Sequence, residues 1–212
     1  ADGNVVMSAS NGQPTDQDGA SVAQATFTLN LTGEDVGQTY EYTIVERVPE
    51  ETGGIVSICF HWYSPVGGRD KSFYQKNTDF DARKILEEGT EERKAFYSDM
   101  DVIADILKKF QDERIPILWR PFHEADGDWF WWSRGGREEF KKLWQIMYER
   151  YTDYHGLDNL IWVLGYSHKM LDVREWYPGD DYCDIIGADT YDIEIVHKLY
   201  RKMKSVTSYF FI

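Results

Sequence analysis

The sequence predicts an α/β fold, in which a parallel, barrel-like sheet of βα units follows a short β-rich segment. After residue 53, short and continuous apolar runs alternate with longer stretches of helical periodicity, which is typical of parallel strands joined by helices. Before residue 53, apolar and polar residues alternate one by one, which is typical of half-buried strands. The two patterns meet near Gly53 and Gly54.

The β-rich segment, residues 1 to 52, contains one clear hairpin pattern. Apolar side chains recur at every second position on both sides of a glycine-containing turn, first at Phe27, Leu29 and Leu31 and then at Tyr40, Tyr42 and Ile44. One face of each strand is therefore expected to be buried. The preceding residues 10 to 21 are polar, contain glycine and proline, and are expected to form a loop.

The second part contains four predicted strands, at residues 53 to 62, 115 to 122, 159 to 166 and 183 to 191. Two long helical faces separate the first three strands. The apolar residues of these faces are Val102, Ile103, Ile106, Leu107 and Phe110, and then Phe140, Leu143, Trp144, Met147 and Tyr151. A last amphipathic helix is predicted from about residue 195 to residue 204.

The composition excludes several classes of protein. A hydrophobic fraction of 42% and an aromatic fraction of 16% indicate a globular chain. No apolar run approaches the roughly 18 residues that a membrane span requires, so no membrane insertion is expected. The 23 basic and 37 acidic residues give a formal charge of -14, which repels nucleic acids and anionic lipids. We therefore expect no nucleic-acid partner, and a neutral or cationic ligand.

The two cysteines, Cys59 and Cys183, both lie in predicted strands. Two buried thiols are favoured over a disulfide at such positions. His61, His123 and Glu124 could act as metal ligands, but no third histidine or HxxxH spacing accompanies them. No metal site is predicted.

Each predicted strand ends in polar or aromatic residues. They are His61 and Trp62, His123 and Glu124, Tyr166 and His168, and Asp189 and Tyr191. In a parallel βα barrel the carboxyl ends of the strands meet at one open face, where active sites form. The sequence therefore predicts a site at this face.

Glu124 lies in the aromatic-rich stretch "LWRPFHEADGDWFWW", residues 118 to 132. A carboxyl group beside apolar surface tends to have a raised pKa, which suits a general acid, and glycoside hydrolysis pairs such an acid with a second carboxylate. Aromatic rings offer flat apolar platforms to sugars. Plainer interpretations remain open, because Glu124 could pair with Arg120 and several of the aromatic residues 129 to 132 could fill the core.

Five segments, in order, resemble glycoside hydrolase family 26, the β-mannanase family: "GGIVSICFHWYSP", "FYQKNTDFDARKILEEGT", "WRPFHEADGDWFWW", "NLIWVLGY" and "DIIGADTYD". The match runs from residue 53 to about residue 204. The resemblance implies a partial (β/α)8 TIM barrel, containing about strands three to six. It also implies a retaining endo-β-1,4-mannanase that acts on β-mannan or a related β-1,4-linked polysaccharide and needs no cofactor.

The resemblance also assigns roles to single residues. Glu124 is expected to be the catalytic acid/base, and His123 to support it and bind substrate. Trp129 is expected to line the sugar subsites, and Tyr191 to lie close to the nucleophile. His61 and its neighbour Trp62 complete the expected substrate-binding residues.

The chain departs from the family at the nucleophile. The family's nucleophile is a second Glu on strand seven, and strands one, two, seven and eight have no counterpart in residues 53 to 212. Asp189, Asp192 and Glu194 are the nearest acidic candidates. We therefore expect weak activity or none from these 212 residues. Two alternatives are a non-catalytic carbohydrate-binding or cell-surface protein, and a hydrolase of another β-1,4 or mixed-linkage β-glucan.

Residues 1 to 52 resemble part of a pilin isopeptide-linkage domain, a β-sandwich module of Gram-positive surface proteins. The segment "TFTLNLTGEDVGQTYEYTIVERVPEE" carries this resemblance, and Glu46 matches the Glu that assists the isopeptide bond. Two domains are thus predicted, a β-rich segment at residues 1 to 52 and a partial hydrolase barrel at residues 53 to 212. Both resemblances imply an extracellular or cell-surface protein.

Overall fold

The structure, a computed structural model, describes the strand backbones at residues 5–9, 23–31 and 38–46, and residues 56–66, 72–169, 173–190, 192–205 and 210–211. Within these residues, eight strands form one sheet whose spatial order follows the chain. The first three strands, β1 (Val5–Ala9), β2 (Ala23–Leu31) and β3 (Gln38–Glu46), pair antiparallel. The β2 and β3 pairing confirms the predicted hairpin.

The remaining strands form the parallel part of the sheet, which confirms the α/β prediction. They are β4 (Val56–Cys59), β5 (Ile117–Arg120), β6 (Leu160–Tyr166), β7 (Ile185–Ala188) and β8 (Phe210–Phe211). The first four were predicted, whereas β8, which pairs parallel with β7, corrects the expectation that no further strand follows. One antiparallel register pair, Val45 with Ser57, joins β3 to β4. The domain boundary near residue 53 lies outside the described residues and stays a prediction.

A helix follows each of the first four parallel strands. They are α1 (Glu91–Asp112), α2 (Arg137–Glu149), α3 (Val173–Trp176) and α4 (Val196–Lys204), and a π-helical turn, Arg150–Tyr154, extends α2. The hydroxyl of Thr90 accepts a hydrogen bond from the backbone N–H of Arg93 and so caps α1. No helix among the described residues is long and apolar enough to cross a membrane.

The core lies between the helices and the outer side of the parallel strands. Side chains in β4 and β5 alternate, so that Val56, Ile58, Ile117 and Trp119 are at most 5% exposed while the residues between them are partly exposed. The structure confirms the second predicted helical face, whose residues Phe140, Leu143, Trp144, Met147 and Tyr151 are all buried. In the first face Ile103 and Leu107 are buried, while Val102, Ile106 and Phe110 are partly buried against the core. The opposite, inner side of β4 and β5 carries Ser57, Cys59, Leu118 and Arg120, of which Cys59 and Arg120 lie at the carboxyl ends of the two strands.

Cys59 and Cys183 are free thiols, as predicted. Cys183 is buried, and burial raises its pKa to about 12. Cys59 is only half-buried, because it lies on the inner side of β4 near Arg120, Asp189 and Glu124.

Candidate active site

The Glu124 loop, residues 121–128, leaves the carboxyl end of β5 with an unusual backbone. Phe122, Glu124 and Asp128 have φ values of 50°, 54° and 61°, in the left-handed region that residues other than glycine rarely adopt. The backbone N–H of Glu124 donates to the carbonyl of Gly165, at the end of β6, at 2.7 Å. Strained backbone of this kind persists only where its surroundings hold it, and it concentrates at functional sites.

The carboxyl group of Glu124 is partly buried, and its pKa is raised to about 7. Burial is the largest cause, and the negative charges of Asp189 and Asp126 add to it. A hydrogen bond with the side chain of Trp129 and the charge of Arg120 act in the opposite direction but are outweighed. Glu124 can therefore hold a proton near neutral pH.

Arg120 pairs with Asp189 rather than closing on Glu124. Its Nη2 lies 2.5 Å from Oδ1 of Asp189, so the pair joins the ends of β5 and β7. Gly165 of β6 leaves room for this guanidinium, because a Cβ at that position would lie 3.1 Å from Nη2 of Arg120. Of the interpretations left open for Glu124, an ion pair with Arg120 is not formed, because Arg120 pairs with Asp189 instead.

His123 is a buried and neutral imidazole. It is 5% exposed, and burial, His61 and Arg120 together lower its pKa to about 3. The ring of His61 meets it edge-on, with centroids 4.8 Å apart, and partial burial lowers the pKa of His61 as well. Nδ1 of His123 has no hydrogen-bond partner within the described part of the chain.

The aromatic run after Glu124 divides between surface and core. Phe130, Trp131 and Trp132 are at most 2% exposed, so they fill the core as the plainer interpretation predicted. Trp129 alone is partly exposed, with the ring of His168 at 6.2 Å and Nζ of Lys169 at 4.8 Å from its own ring centroid. A Cβ on Gly127 would come within 2.3 Å of the Trp129 indole, so the loop needs glycine there.

Trp62 is a core residue, which contradicts the substrate contact predicted for it. It is 1% exposed, and its indole N–H donates to Oδ2 of Asp99 at 2.9 Å. His61, the preceding residue, faces the opposite side and is exposed. Tyr191 lies outside the described residues, so its predicted place near the nucleophile stays a prediction.

Sequence reasoning missed Asp126 and Ser167. Asp126 is 5% exposed, and its carboxylate accepts hydrogen bonds from the backbone N–H of Ser167 at 2.7 Å and from its hydroxyl at 2.8 Å. The two residues are 41 positions apart, so no local pattern links them. The one available signal was a second carboxylate two residues after Glu124.

Asp192 and Glu194, the other two nucleophile candidates, lie at the surface and do not share the ion pair of Asp189. Asp192 and Glu194 are exposed, and Oδ1 of Asp192 accepts from the backbone N–H of Glu194 at 2.9 Å. Among the residues that the structure describes, no group of three His, Cys, Asp or Glu side chains could hold a metal ion.

Comparisons with known proteins agree with this geometry. The family model of glycosyl hydrolase family 26 matches residues 9–210. A mannan endo-1,4-beta-mannosidase of Thermothelomyces thermophilus is 42% identical over 152 residues, 66% of this chain and 30% of that protein. A mannan endo-1,4-beta-mannosidase of Bacillus subtilis is 34% identical over 149 residues, 66% of this chain and 41% of that protein.

A solved structure is also similar. The beta-mannanase from a symbiotic protist of the termite Reticulitermes speratus, complexed with a gluco-manno-oligosaccharide, aligns with a TM-score of 0.69 and 38% identity, over 73% of this chain and 49% of that one. This chain therefore spans less than half the length of these relatives. The family match extends into residues 9 to 52, where the pilin resemblance stays a prediction. With a match over nearly its whole length, the chain belongs to glycosyl hydrolase family 26.

Proposed function

We propose that this chain is the acid/base-carrying part of an endo-β-1,4-mannanase, a retaining glycoside hydrolase that acts on β-mannan. The observation that carries the proposal is the carboxyl group of Glu124, which has a pKa of about 7 and lies at the end of a parallel strand beside Trp129. Such a group can give its proton to the leaving glycosidic oxygen near neutral pH. The mannosidase relatives support mannan as the substrate.

The predicted neighbours of Glu124 have separate tasks in this proposal. His123 supports the acid as a neutral imidazole, because a positive charge at that position would lower the pKa of Glu124. His61 remains exposed beside it and can contact a sugar hydroxyl. Trp129 offers a partly exposed ring to the sugar next to the acid, and Tyr191 keeps its predicted place near the nucleophile.

The second carboxylate decides how active these 212 residues are. A retaining enzyme needs a nucleophile roughly 5 Å from the acid/base. Among the described residues, the two carboxylates that influence Glu124 are engaged, Asp126 by Ser167 and Asp189 by Arg120. We therefore propose that the 212 residues hydrolyse mannan weakly or not at all.

The test is reducing-sugar release from β-mannan by the 212-residue chain, with two variants. Glu124→Ala is expected to abolish any release, a loss of roughly 100-fold or more, because the general acid is removed. Glu88→Ala, an exposed Glu outside the site, is the matched control and should release sugar like the unaltered chain. Full release by Glu124→Ala would refute the assignment of the acid, and full mannanase turnover by the unaltered chain would refute weak activity.

A second candidate function is carbohydrate binding without catalysis. The engaged state of Asp126 and Asp189 favours it, and so does the aromatic surface beside His61, where Tyr63 is 36% exposed and Tyr74 is 37% exposed. Tryptophan fluorescence titration with mannohexaose separates the two candidates. Binding without release would support a binding protein, while release that depends on Glu124 would support the hydrolase.

Substrate and location complete the proposal. Barley mixed-linkage β-glucan, assayed beside mannan, tests the remaining hydrolase alternative, which faster release from the glucan would support.

A polysaccharide cannot enter a cell, so we place the protein outside the cell or on its surface. Fractionation of the producing cells checks this placement, and purely intracellular protein would contradict it.

A further inference from the structure

Two ties, which are sets of hydrogen bonds two residues apart on each segment, join the Glu124 loop to the end of β6. The backbone N–H of Glu124 donates to the carbonyl of Gly165 at 2.7 Å. Two residues later, the carboxylate of Asp126 takes hydrogen bonds from the backbone N–H and the hydroxyl of Ser167, at 2.7 and 2.8 Å. From the first tie to the second, both the loop and the β6 segment move on by two residues. The loop therefore runs alongside β6 beyond the last parallel pair of β5 and β6, Trp119 with Trp162.

The second tie is a charged group placed inside the protein. Asp126 is 5% exposed and Ser167 is fully buried. The hydroxyl oxygen of Ser167 also accepts from the backbone N–H of Lys169 at 3.2 Å, while Nζ of Lys169 lies 3.4 Å from the carbonyl oxygen of Gly127. These hydrogen bonds connect the loop to the residues that follow β6. They hold the carboxylate of Asp126 in place, two residues from Glu124.

Four other groups face Glu124 from the packed elements. Asp189 at the end of β7 opposes its ionisation, Arg120 of β5 favours it, and the side chain of Trp129 forms a hydrogen bond with it. The Cys59 thiol of β4 lies close enough for the charge of Glu124 to raise its pKa. The charge of Asp189 is shared with Arg120, whereas the hydrogen bonds that Asp126 takes from Ser167 come from uncharged donors.

We propose that Asp126 is a positioning residue: its buried carboxylate fixes the loop that carries Glu124, and its negative charge opposes the ionisation of Glu124. The proposal rests on the role of Glu124 as acid/base. Asp126 does not touch the substrate in this proposal, and it acts through Glu124.

Three variants separate the two effects. Asp126→Asn keeps the shape of the side chain, and its amide can accept from the N–H of Ser167 and donate to the hydroxyl oxygen, so the tie persists while the charge is lost. Ser167→Ala keeps the charge of Asp126 and removes one donor. Asp128→Asn is the matched control, since it removes an exposed carboxylate from the same loop.

The first measurement is the pH titration of the Glu124 side-chain carboxyl carbon by NMR in the 212-residue chain, which needs no catalysis. Asp126→Asn is expected to lower the pKa of Glu124 by roughly one pH unit, because a neighbouring negative charge is removed. Asp128→Asn should leave it in place. Ser167→Ala should keep the pKa raised but speed hydrogen exchange at the Glu124 amide by roughly five- to tenfold, as one hydrogen bond is lost.

Unchanged titration of Glu124 in Asp126→Asn would overturn the proposal, as would an equal change in Asp128→Asn. If the unaltered chain releases sugar from mannan, the alkaline limb of its pH profile should move to lower pH in Asp126→Asn. An unmoved limb would count against the proposal. If the chain releases no sugar, which the proposed weak or absent activity includes, the titration of Glu124 alone decides the role of Asp126.

Discussion

Two polar clusters use their charges in opposite ways. In the helix cluster, Asp101 of α1 accepts two hydrogen bonds from Arg150 at 2.8 Å each and lies 2.8 Å from Nε2 of His155. In the candidate active site, Glu124 has carboxylates for neighbours and Nδ1 of His123 has no partner within the described residues. In the first cluster Arg150 and His155 pair directly with the carboxylate, whereas in the second Arg120 pairs with Asp189 rather than with Glu124.

The pKa values follow from this difference. Burial alone would raise the pKa of Asp101, but the hydrogen bonds of Arg150 and His155 outweigh it and lower the pKa. At Glu124 burial and two negative neighbours act together and raise the pKa to about 7. Pairing stabilises the fold, whereas a carboxyl group whose burial and negative neighbours outweigh the nearby positive charge keeps its proton available for chemistry.

The largest expected effect concerns His123 in acid. Its pKa of about 3 in the folded chain lies below the unfolded value of about 6.5, so protonation favours the unfolded chain as the pH falls below 6.5. The free energy of unfolding of the unaltered chain should therefore fall between pH 7 and pH 4.5. In His123→Gln, which lacks this imidazole, we expect that fall to be about 2 kcal/mol smaller. Urea unfolding at the two pH values measures this. His197→Gln, on the exposed side of α4, is the control, and equal losses in all three proteins would contradict the prediction.

A smaller effect is expected from breaking the helix cluster. Asp101→Asn leaves Arg150 and His155 without their carboxylate and should lower the free energy of unfolding by about 1 kcal/mol, since the side chain of Asp101 is 40% exposed and solvent screens the pair. Thermal unfolding at pH 7 measures it. Asp105→Asn, an exposed position on the same helix, should change stability by less than about 0.5 kcal/mol. A loss of mannohexaose binding by folded Asp101→Asn would break the comparison, because this cluster would then serve the site.

An effect of similar size but opposite sign is expected at Glu124. The folded pKa of Glu124, about 7, lies above its unfolded value, so ionisation of Glu124 costs stability as the pH rises from about 4.5 through 7. Glu124→Gln should therefore be more stable than the unaltered chain by about 1 kcal/mol at pH 8 and equally stable at pH 5. Melting temperatures at the two pH values test this. A less stable variant at pH 8 would mean that the ionised carboxylate has a favourable partner.

The periodic parts of the fold could be predicted from the sequence. Alternation identified the hairpin, apolar runs identified the parallel strands β4 to β7, and helical spacing identified the buried faces, because each pattern is local. The two-residue strand β8 was missed, because so short a strand carries no periodic pattern. Glu124 could be singled out by its position after a strand among aromatic residues, whereas Trp129 was singled out by the family resemblance, and the roles of both stay predictions. The substrate contact predicted for Trp62 was wrong. A position at the end of a strand does not tell which of two successive side chains, His61 or Trp62, faces the core.

The rest depends on contacts between distant segments. The tie between Asp126 and Ser167 and the ion pair between Arg120 and Asp189 join residues 41 and 69 positions apart. Neither pair has a local spacing that marks it. The left-handed backbone at Phe122 and Glu124 is likewise enforced by packing, because no glycine occupies these positions.

Gly165 has a consequence for the acidity of a group on another segment. A Cβ at this position would lie 3.1 Å from Nη2 of Arg120, so the guanidinium would have to give way by a few tenths of an ångström. Arg120 displaced from Asp189 would be free to neutralise Glu124 instead, and the acid would lose its proton at a lower pH. A residue without a side chain thus tunes the proton affinity of Glu124 by the space that it leaves empty.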